Sequence, residues 1–298
     1  MKAKTINDLL GREATNNDFY NLKEIVIADG VENIYNQAFN KFRKLKSVIL
    51  SDSVTSIDEF AFLNRAHLSS VIISKSVQKI GMQSFKGCTS LDSIIVDKDN
   101  KIFDSRDNCN AIINTKNKEL IIGSNKTIIP DGVKKISRFA FTYCLDITSI
   151  RIPASLHVFS INTFYHDVIN SIVVDNKNNV FDSRDNCNAI IRTNTKTLIY
   201  GCNSSIIPDG VESIGYRAFD GCIGLTSIII PEGVKSIGEK AFYDCKNLVS
   251  IFLPMSLVSI ENRAFTNCHK TKVFYIPSGS KEKFDALLPQ FKNNLVEV

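Results

Sequence analysis

Apolar residues recur along this chain as short β-branched runs separated by turn residues, and the order of the runs repeats. In LTSIIIPEGVKSIGEKAFYDCKN, residues 225–247, the first run predicts a short strand. Pro231 and Gly233 predict a turn, because Pro fixes φ and Gly tolerates positive φ. VKSI predicts a second brief extended piece, and EKAFYDC predicts a helical turn. The same order then begins again in LVSIFLPMSLVSIENRAFTNCHK.

A series of phenylalanines marks the period of this repeat. The intervals between them are 23, 23, 56, 23, 55, 23 and 23 residues. The series consists of Phe39, Phe62, Phe85, Phe141, Phe164, Phe219, Phe242 and Phe265. Each long interval contains a second module, since SIIVDKDNKIFDSRDNCNAII at residue 93 recurs as SIVVDNKNNVFDSRDNCNAII at residue 171, an offset of 78. We therefore expect irregular modules near residues 97–129 and 175–207.

The repeat predicts a solenoid. One 23-residue unit is too small to bury its apolar face alone, whereas stacked units build a continuous core. We expect an α/β solenoid with a parallel β-sheet on one face and short strands, turns and helical turns elsewhere. The whole chain, residues 1–298, is predicted to be one domain with repeats over 22–277. Residues 1–21 and 278–298 are predicted caps, because open solenoid ends expose unpaired strand edges.

Several of these motifs resemble the BspA-like leucine-rich repeat family. They are the Leu-x-x-Ile-x-Ile start, the Ile-Gly-x-x-Ala-Phe signature from Ile237 to Phe242, and the cysteine three residues later. The DSRDNCNAII module and the ending FYIPSGSKEKFDALLPQFKNNLVEV are also similar to that family, so the resemblance runs from about Leu22 to the end. It implies a leucine-rich repeat fold and a non-catalytic module for protein binding or cell adhesion. Because known members are mostly bacterial surface or secreted proteins, it also implies a secreted or cell-surface location, with host extracellular or surface proteins among the expected partners.

The remaining composition leaves a second interpretation open. The first residues, MKAKTINDLLGREATNNDF, contain no apolar signal-peptide core, so a complete and unprocessed chain would be cytoplasmic. The alternative function is then an intracellular scaffold or assembly protein. No apolar stretch is long enough to span a bilayer. The net charge of +5 is spread along the chain, which does not indicate a nucleic-acid partner.

The cysteines follow the repeat. Five lie three residues after a repeat phenylalanine, Cys109 and Cys187 are equivalent positions of the duplicated module, and Cys202 stands alone. Such position-locked cysteines are predicted to be small buried apolar side chains. No close C-x-x-C pair predicts a zinc site. Disulfides between stacked neighbours such as Cys222 and Cys245 are the alternative for a secreted protein.

No other motif predicts catalysis, a metal site or a cofactor, so we expect the chain not to be an enzyme. The acidic segment DKDNKIFDSRDNCN lacks the glycine and the terminal glutamate of a calcium loop, and Asx residues favour turns instead. The histidines occupy unrelated positions without a nucleophile motif. They are His67, His157, His166 and His269.

One row of residues suggests a binding surface. Strand side chains alternate between faces, so Ile229 points outward if Ile228 and Ile230 point inward. Ile229 and its equivalents form what we call the outer stripe: Val26, Ile49, Ile72, Ile95, Arg151, Val173, Ile229, Phe252 and Tyr275. A row of serines lies two residues earlier. One interpretation is that β-branched residues simply favour strands and that neighbouring side chains shield one another along the ladder. The functional hypothesis is that a partner binds these residues from Ile49 to Tyr275, with Phe252 and Tyr275 as hot spots.

Overall fold

The structure is a computed structural model and describes residues 16–160, 163–164 and 169–298. The chain divides into two compact units. Unit 1 comprises residues 1–147 and 155–165, and unit 2 comprises residues 148–154 and 166–298. Each unit is built from the predicted coils. The single continuous domain over 1–298 stays a prediction.

Short strands dominate both units. In unit 1 they are β1 (Glu24–Val26), β2 (Asn33–Ile34), β3 (Ser47–Ile49), β4 (Ser56–Ile57), β5 (Ser70–Ile73), β6 (Lys79–Ile80), β7 (Ser93–Val96), β8 (Phe103–Asp104), β9 (Ile112–Asn114), β10 (Glu119–Ile122), β11 (Lys135–Ile136) and β13 (Val158–Phe159). In unit 2 they are β12 (Ser149–Ile152), β14 (Ser171–Val174), β15 (Phe181–Asp182), β16 (Ile190–Arg192), β17 (Thr197–Tyr200), β18 (Ser213–Ile214), β19 (Ser227–Ile229), β20 (Ser236–Ile237), β21 (Ser250–Phe252), β22 (Ser259–Ile260), β23 (Val273–Ile276) and β24 (Leu295–Glu297). Helices α1 (Asn16–Asn21) and α2 (Lys281–Leu287) are short.

Equivalent strands of successive repeats pair in parallel and in register. The first strands of the repeats form the sheet β1-β3-β5-β7 in unit 1, and β12-β14 and β19-β21-β23 in unit 2, where the C-terminal strand β24 joins the last of these sheets. Val48, for example, pairs with Val71, and Val71 with Ile94. The second extended pieces also pair, as β2-β4-β6 in unit 1 and β18-β20-β22 in unit 2. The predicted parallel-sheet solenoid with repeats of about 23 residues is confirmed.

The duplicated modules are β-hairpins joined to the second sheet. Strands β8, β9 and β10 pair antiparallel, and β10 then pairs in parallel with β11. Strands β15, β16 and β17 repeat this arrangement before β18. The buried Asn100 fixes the first module, since its Nδ2 donates to the carbonyls of Ser74 and Val77 and its Oδ1 accepts from two backbone amides. Asp104 likewise pairs with Arg106. The turn interpretation of this acidic segment is therefore confirmed.

A ladder of stacked phenylalanines forms the centre of each core. In unit 1, Phe62 lies between Phe39 and Phe85 with ring centroids 4.6 and 4.7 Å apart. In unit 2, Phe242 lies between Phe219 and Phe265 at 5.0 and 5.3 Å. The spacing is close to that of neighbouring strands in a sheet, so ring and backbone contacts are made together. Phe62 and Phe242 are fully buried.

The eight cysteines are buried and free. The thiols of Cys88, Cys245 and Cys268 each donate to the carbonyl of a ladder phenylalanine 26 residues earlier, at 3.2, 3.1 and 3.0 Å. The predicted role as small buried side chains agrees with these contacts. Burial raises the pKa of the Cys88 and Cys144 thiols from 9.0 to about 12.

The C-terminal segment covers the last coil of unit 2. Strand β24 pairs with β23, and Phe284 of α2 is fully buried. Phe291, in the 3₁₀ turn that follows α2, packs against Phe274 with ring centroids 4.9 Å apart. These contacts are those expected of a C-terminal cap. Helix α1 belongs to the predicted N-terminal cap, and the rest of that cap, residues 1–15, lies outside the described residues.

Removing one ring of the ladder should destabilise unit 1. We expect Phe62→Ala to lower the free energy of unfolding by about 3–5 kcal/mol, because it removes buried apolar surface and leaves a cavity between two rings. Val26→Ala, on a side chain that is 69% exposed, should change it by less than about 0.5 kcal/mol. Urea unfolding followed by circular dichroism measures both. Equal effects of the two substitutions would contradict the ladder's role.

The buried thiols should make stability fall at alkaline pH. Thiols of the unfolded chain ionise above pH 9.0, whereas folded Cys88 and Cys144 stay neutral until about pH 12. The stabilisation is therefore complete below pH 9.0 and lost as pH rises towards 12, by up to about 1.4 kcal/mol per thiol and pH unit. Urea unfolding at several pH values between 9 and 12 measures this loss. We expect the free energy of unfolding to fall less steeply with pH in Cys88→Ala/Cys144→Ala than in the wild type. An identical pH dependence in the wild type and the double variant would refute the role of these two thiols.

Candidate partner-binding face

The outer stripe lies on the outward side of the first sheet in both units, as its position in the strands predicts. In unit 1, Ile49 pairs with Val26 on one side and with Ile72 on the other, and Ile72 pairs with Ile95. Val26, Ile49 and Ile95 are exposed, and Ile72 between them is half-buried. Their inward neighbours Val48, Val71 and Ile94 are buried. The alternation creates a continuous aliphatic ladder of four rungs.

Unit 2 carries an aromatic version of the same ladder. Ile229 pairs with Phe252, which pairs with Tyr275. The rings of Phe252 and Tyr275 stack with their centroids 4.4 Å apart. Ile229 is 64% exposed, whereas the two rings are half-buried because they cover each other. This stacked pair is pre-organised, so little further side-chain entropy is lost when a partner binds to it.

The structure adds a residue that the repeat pattern missed. Val296 of β24 pairs with Tyr275 and is 44% exposed, so it extends the unit 2 ladder to a fourth rung. The segment LVEV follows the C-terminal helix and lies outside the phenylalanine period, so the repeat does not predict a strand there. Its alternation of apolar and polar residues was the available signal for a strand.

Arg151 and Val173 form a separate, partly charged pair on the two-stranded sheet of unit 2. They are paired across β12 and β14, and both are exposed. The Arg151 guanidinium bonds the carboxylate of Asp175 at 3.0 Å. The amide of Lys177 and the Arg151 side chain lower the pKa of Asp175, so this carboxylate stays ionised. Arg151 is thus a polar interruption of the stripe.

A row of hydroxyl groups follows one edge of the apolar ladder. The serines of the predicted row pair across neighbouring strands, as Ser47 does with Ser70. In unit 2, the Ser250 hydroxyl donates to that of Ser227 at 3.1 Å. The side chains of Ser227 and Ser149 are exposed. The face therefore offers apolar contact beside hydrogen-bonding groups, the combination found at protein interfaces.

The remaining candidate groups are the histidines and the metal-ligating side chains. His67, His157 and His269 are exposed at separate positions, and His166 lies outside the described residues. Among residues 16–160, 163–164 and 169–298, no three metal-ligating side chains of the His, Cys, Asp or Glu type come together. No helix in the described part of the chain is long and apolar enough to cross a membrane.

Comparison with solved structures places the fold among bacterial repeat proteins. A leucine-rich cell surface protein from Faecalibacterium prausnitzii superposes with a TM-score of 0.55 and 26% identity, over 91% of this chain and 63% of that one. The chain thus spans less than two thirds of that relative. A leucine-rich repeat protein from Eubacterium ventriosum gives 0.52 and 18%, over 85% and 78% of the chains. The pneumococcal vaccine antigen PcpA gives 0.52 and 16%, over 92% and 87%.

The sequence itself carries the family signature over most of its length. No protein of curated function matches it. The model of the BspA-type leucine-rich repeat region matches residues 11–127, 119–202 and 196–288, in six copies. These matches cover well over half of the chain and coincide with the stacked coils. The protein is therefore a member of the BspA-type leucine-rich repeat family.

Proposed function

We propose that the chain is a non-catalytic module that binds a protein partner through the outer stripe. The supporting observation is the contiguous apolar ladder Ile229–Phe252–Tyr275–Val296, which is built by strand pairing and faces outward. Large exposed apolar patches on soluble proteins usually mark interaction sites. The stacked Phe252 and Tyr275 are the expected hot spots, because aromatic side chains dominate the energy of many interfaces.

The expected partner is an extracellular or surface protein of a host, with the chain itself secreted or displayed on a cell surface. Family membership supports this, as does the similarity to a protein described as a leucine-rich cell surface protein. The serine row beside the ladder would hydrogen-bond polar groups at the interface rim. Cell adhesion is the process that such binding would serve.

A second candidate function is that of an intracellular scaffold or assembly protein. The observation that favours it is the free state of all eight cysteines. Free thiols are the normal state of cysteines in a reducing compartment, whereas small exported domains commonly carry disulfides. The binding face would be the same in both cases, and the partner would differ.

Substitution of the ladder should strongly weaken binding to a partner. The wild-type chain is screened against immobilised extracellular-matrix and plasma proteins, together with Ile229→Asp/Phe252→Asp. We expect saturable binding that the double variant weakens by about a hundredfold or more, since two desolvated apolar contacts become buried charges. Surface plasmon resonance gives both affinities.

The matched control is Val258→Asp. Val258 is also an exposed aliphatic residue of unit 2, but it precedes β22 of the second sheet, away from the ladder. It should bind like the wild type. Unchanged binding by the folded double variant would refute the outer stripe as the site. No binding by the folded wild type would favour the intracellular candidate, to be pursued with lysate of the cell of origin.

A further inference from the structure

The stacked ladders of unit 1 are interrupted at one place. Phe85 stacks on Phe62 and, within the described part of the chain, on no other ring. The next ladder residue, Phe141, stacks on Phe164 instead. The second sheet stops at the same level, because β6 is the last strand of β2-β4-β6 while β10 and β11 belong to another sheet. The coil that contains β10 continues into Gly123 and Ser124, without an Ala-Phe turn.

A cavity of about 450 Å³ occupies this interruption. Its walls come from residues 80–88 on one side, and from 119–123 and 135–144 on the other. The lining is largely apolar and includes Ile80, Phe85, Ile121 and Phe139, with the exposed Met82 among the lining residues. The cavity therefore takes the place that the missing phenylalanine turn would fill between Phe85 and the following coil.

Backbone donors next to the cavity also lack their usual acceptors. In the preceding repeat, the amides of Phe62 and Asn64 donate to carbonyls of the next turn at 2.8 and 2.7 Å. The equivalent amides in the last repeat before the cavity are those of Phe85 and Gly87, and no acceptor bonds them among the described residues. An edge with unpaired amides is a template for another backbone segment.

The charges around the cavity favour an acidic neighbour. The negative charge of Glu119 is already compensated, because its carboxylate lies 2.9 Å from the Lys135 ammonium and accepts a hydrogen bond from the Ser137 hydroxyl. Burial acts to raise the pKa of Glu119, but these two bonds outweigh it and lower the pKa. Lys86 and Arg138 also line the cavity and form no ion pair within the described residues. They are held over Phe60 and Phe139.

We propose that this cavity binds an aromatic side chain carried on a turn of a partner protein, with a carboxylate close to the ring in sequence. The ring would fill the missing rung beside Phe85. Carbonyls of the same turn would accept from the free amides, and the carboxylate would face Lys86 and Arg138. The site is separate from the outer stripe, so the partner gains a second contact point on unit 1.

The chain's own repeat supplies a probe of this chemistry. The peptide is residues 236–247 with Tyr243→Thr and Cys245→Ser, so that Phe242 is its single ring and Asp244 follows it. Matched peptides carry in addition Phe242→Ala or Asp244→Asn. The reporter is the methyl group of Met82, observed by NMR in protein labelled at its three methionines. Met255 of unit 2 is the internal reference, and Met82→Leu assigns the signal.

We expect a saturable ring-current shift of the Met82 signal and no shift of Met255. The affinity should fall about tenfold or more with the Phe242→Ala peptide and about two- to fivefold with the Asp244→Asn peptide. Ile121→Trp should abolish the shift by filling the cavity. The Ile229→Asp/Phe252→Asp protein should bind the peptide normally, which separates this site from the outer stripe.

Three outcomes would overturn the proposal. They are the absence of a saturable Met82 shift, equal affinity for the peptide without its ring, and a shift that survives Ile121→Trp in folded protein. The titrations with the peptide and its two variants use the unmodified protein, so they test the proposal even if Ile121→Trp does not fold.

Discussion

The inner phenylalanines of each ladder, Phe62 and Phe242, are fully buried between the rings of the coils on either side. The ring spacings of 4.6 to 5.3 Å and the parallel strand pairing impose the same rise per coil, so neither can change without the other. No coil can be stable alone, and stability comes from interfaces between neighbours. The constraint explains why the last coil of unit 2 is covered by Phe284 and Phe291, and why a coil without its ring leaves a cavity.

The same register that aligns the core also aligns the outer face. Because Val48, Val71 and Ile94 must lie above one another, the next residues, Ile49, Ile72 and Ile95, are forced into a second row on the opposite side. A ladder on the outside is thus a geometric consequence of the ladder inside. Its chemistry is not imposed, since Arg151 occupies one of these positions and Phe252 another. That freedom lets such a fold carry a binding surface without disturbing its core.

The sequence predicts what the period controls, and it fails where a position depends on a neighbouring coil. The strands, the buried ladder and the outward rows follow from spacing alone. The left-handed backbone two residues after the ladder phenylalanine is also readable, because Asn64, Gly87 and Asp244 tolerate it. Two residues before the phenylalanine, however, Gln83, Lys240 and Arg263 adopt positive φ with no compositional signal. Their carbonyls accept from the amides three residues later in the same turn, and these bonds offset a local cost of about 1 kcal/mol. Val296 was missed because its strand forms only against β23.

The irregular module shows how a change in one coil alters its neighbours. A Cβ atom at Gly123 would lie 2.1 Å from the Phe141 ring, so that ring rests directly on the backbone of the module. Gly201 meets Phe219 in the same way in unit 2, at 2.3 Å. The backbone of the module therefore covers one face of the Phe141 ring. The Phe85 ring, in contrast, is stacked only on Phe62 among the described residues. Gly123 takes the place of a ring on the Phe141 side, so the ladder resumes there with Phe141 and Phe164. In the described part of the chain nothing equivalent lies on the Phe85 side, and the cavity is found there. A repeat fold can thus gain an apolar opening in its wall by omitting one turn, at no cost to the stacking that follows.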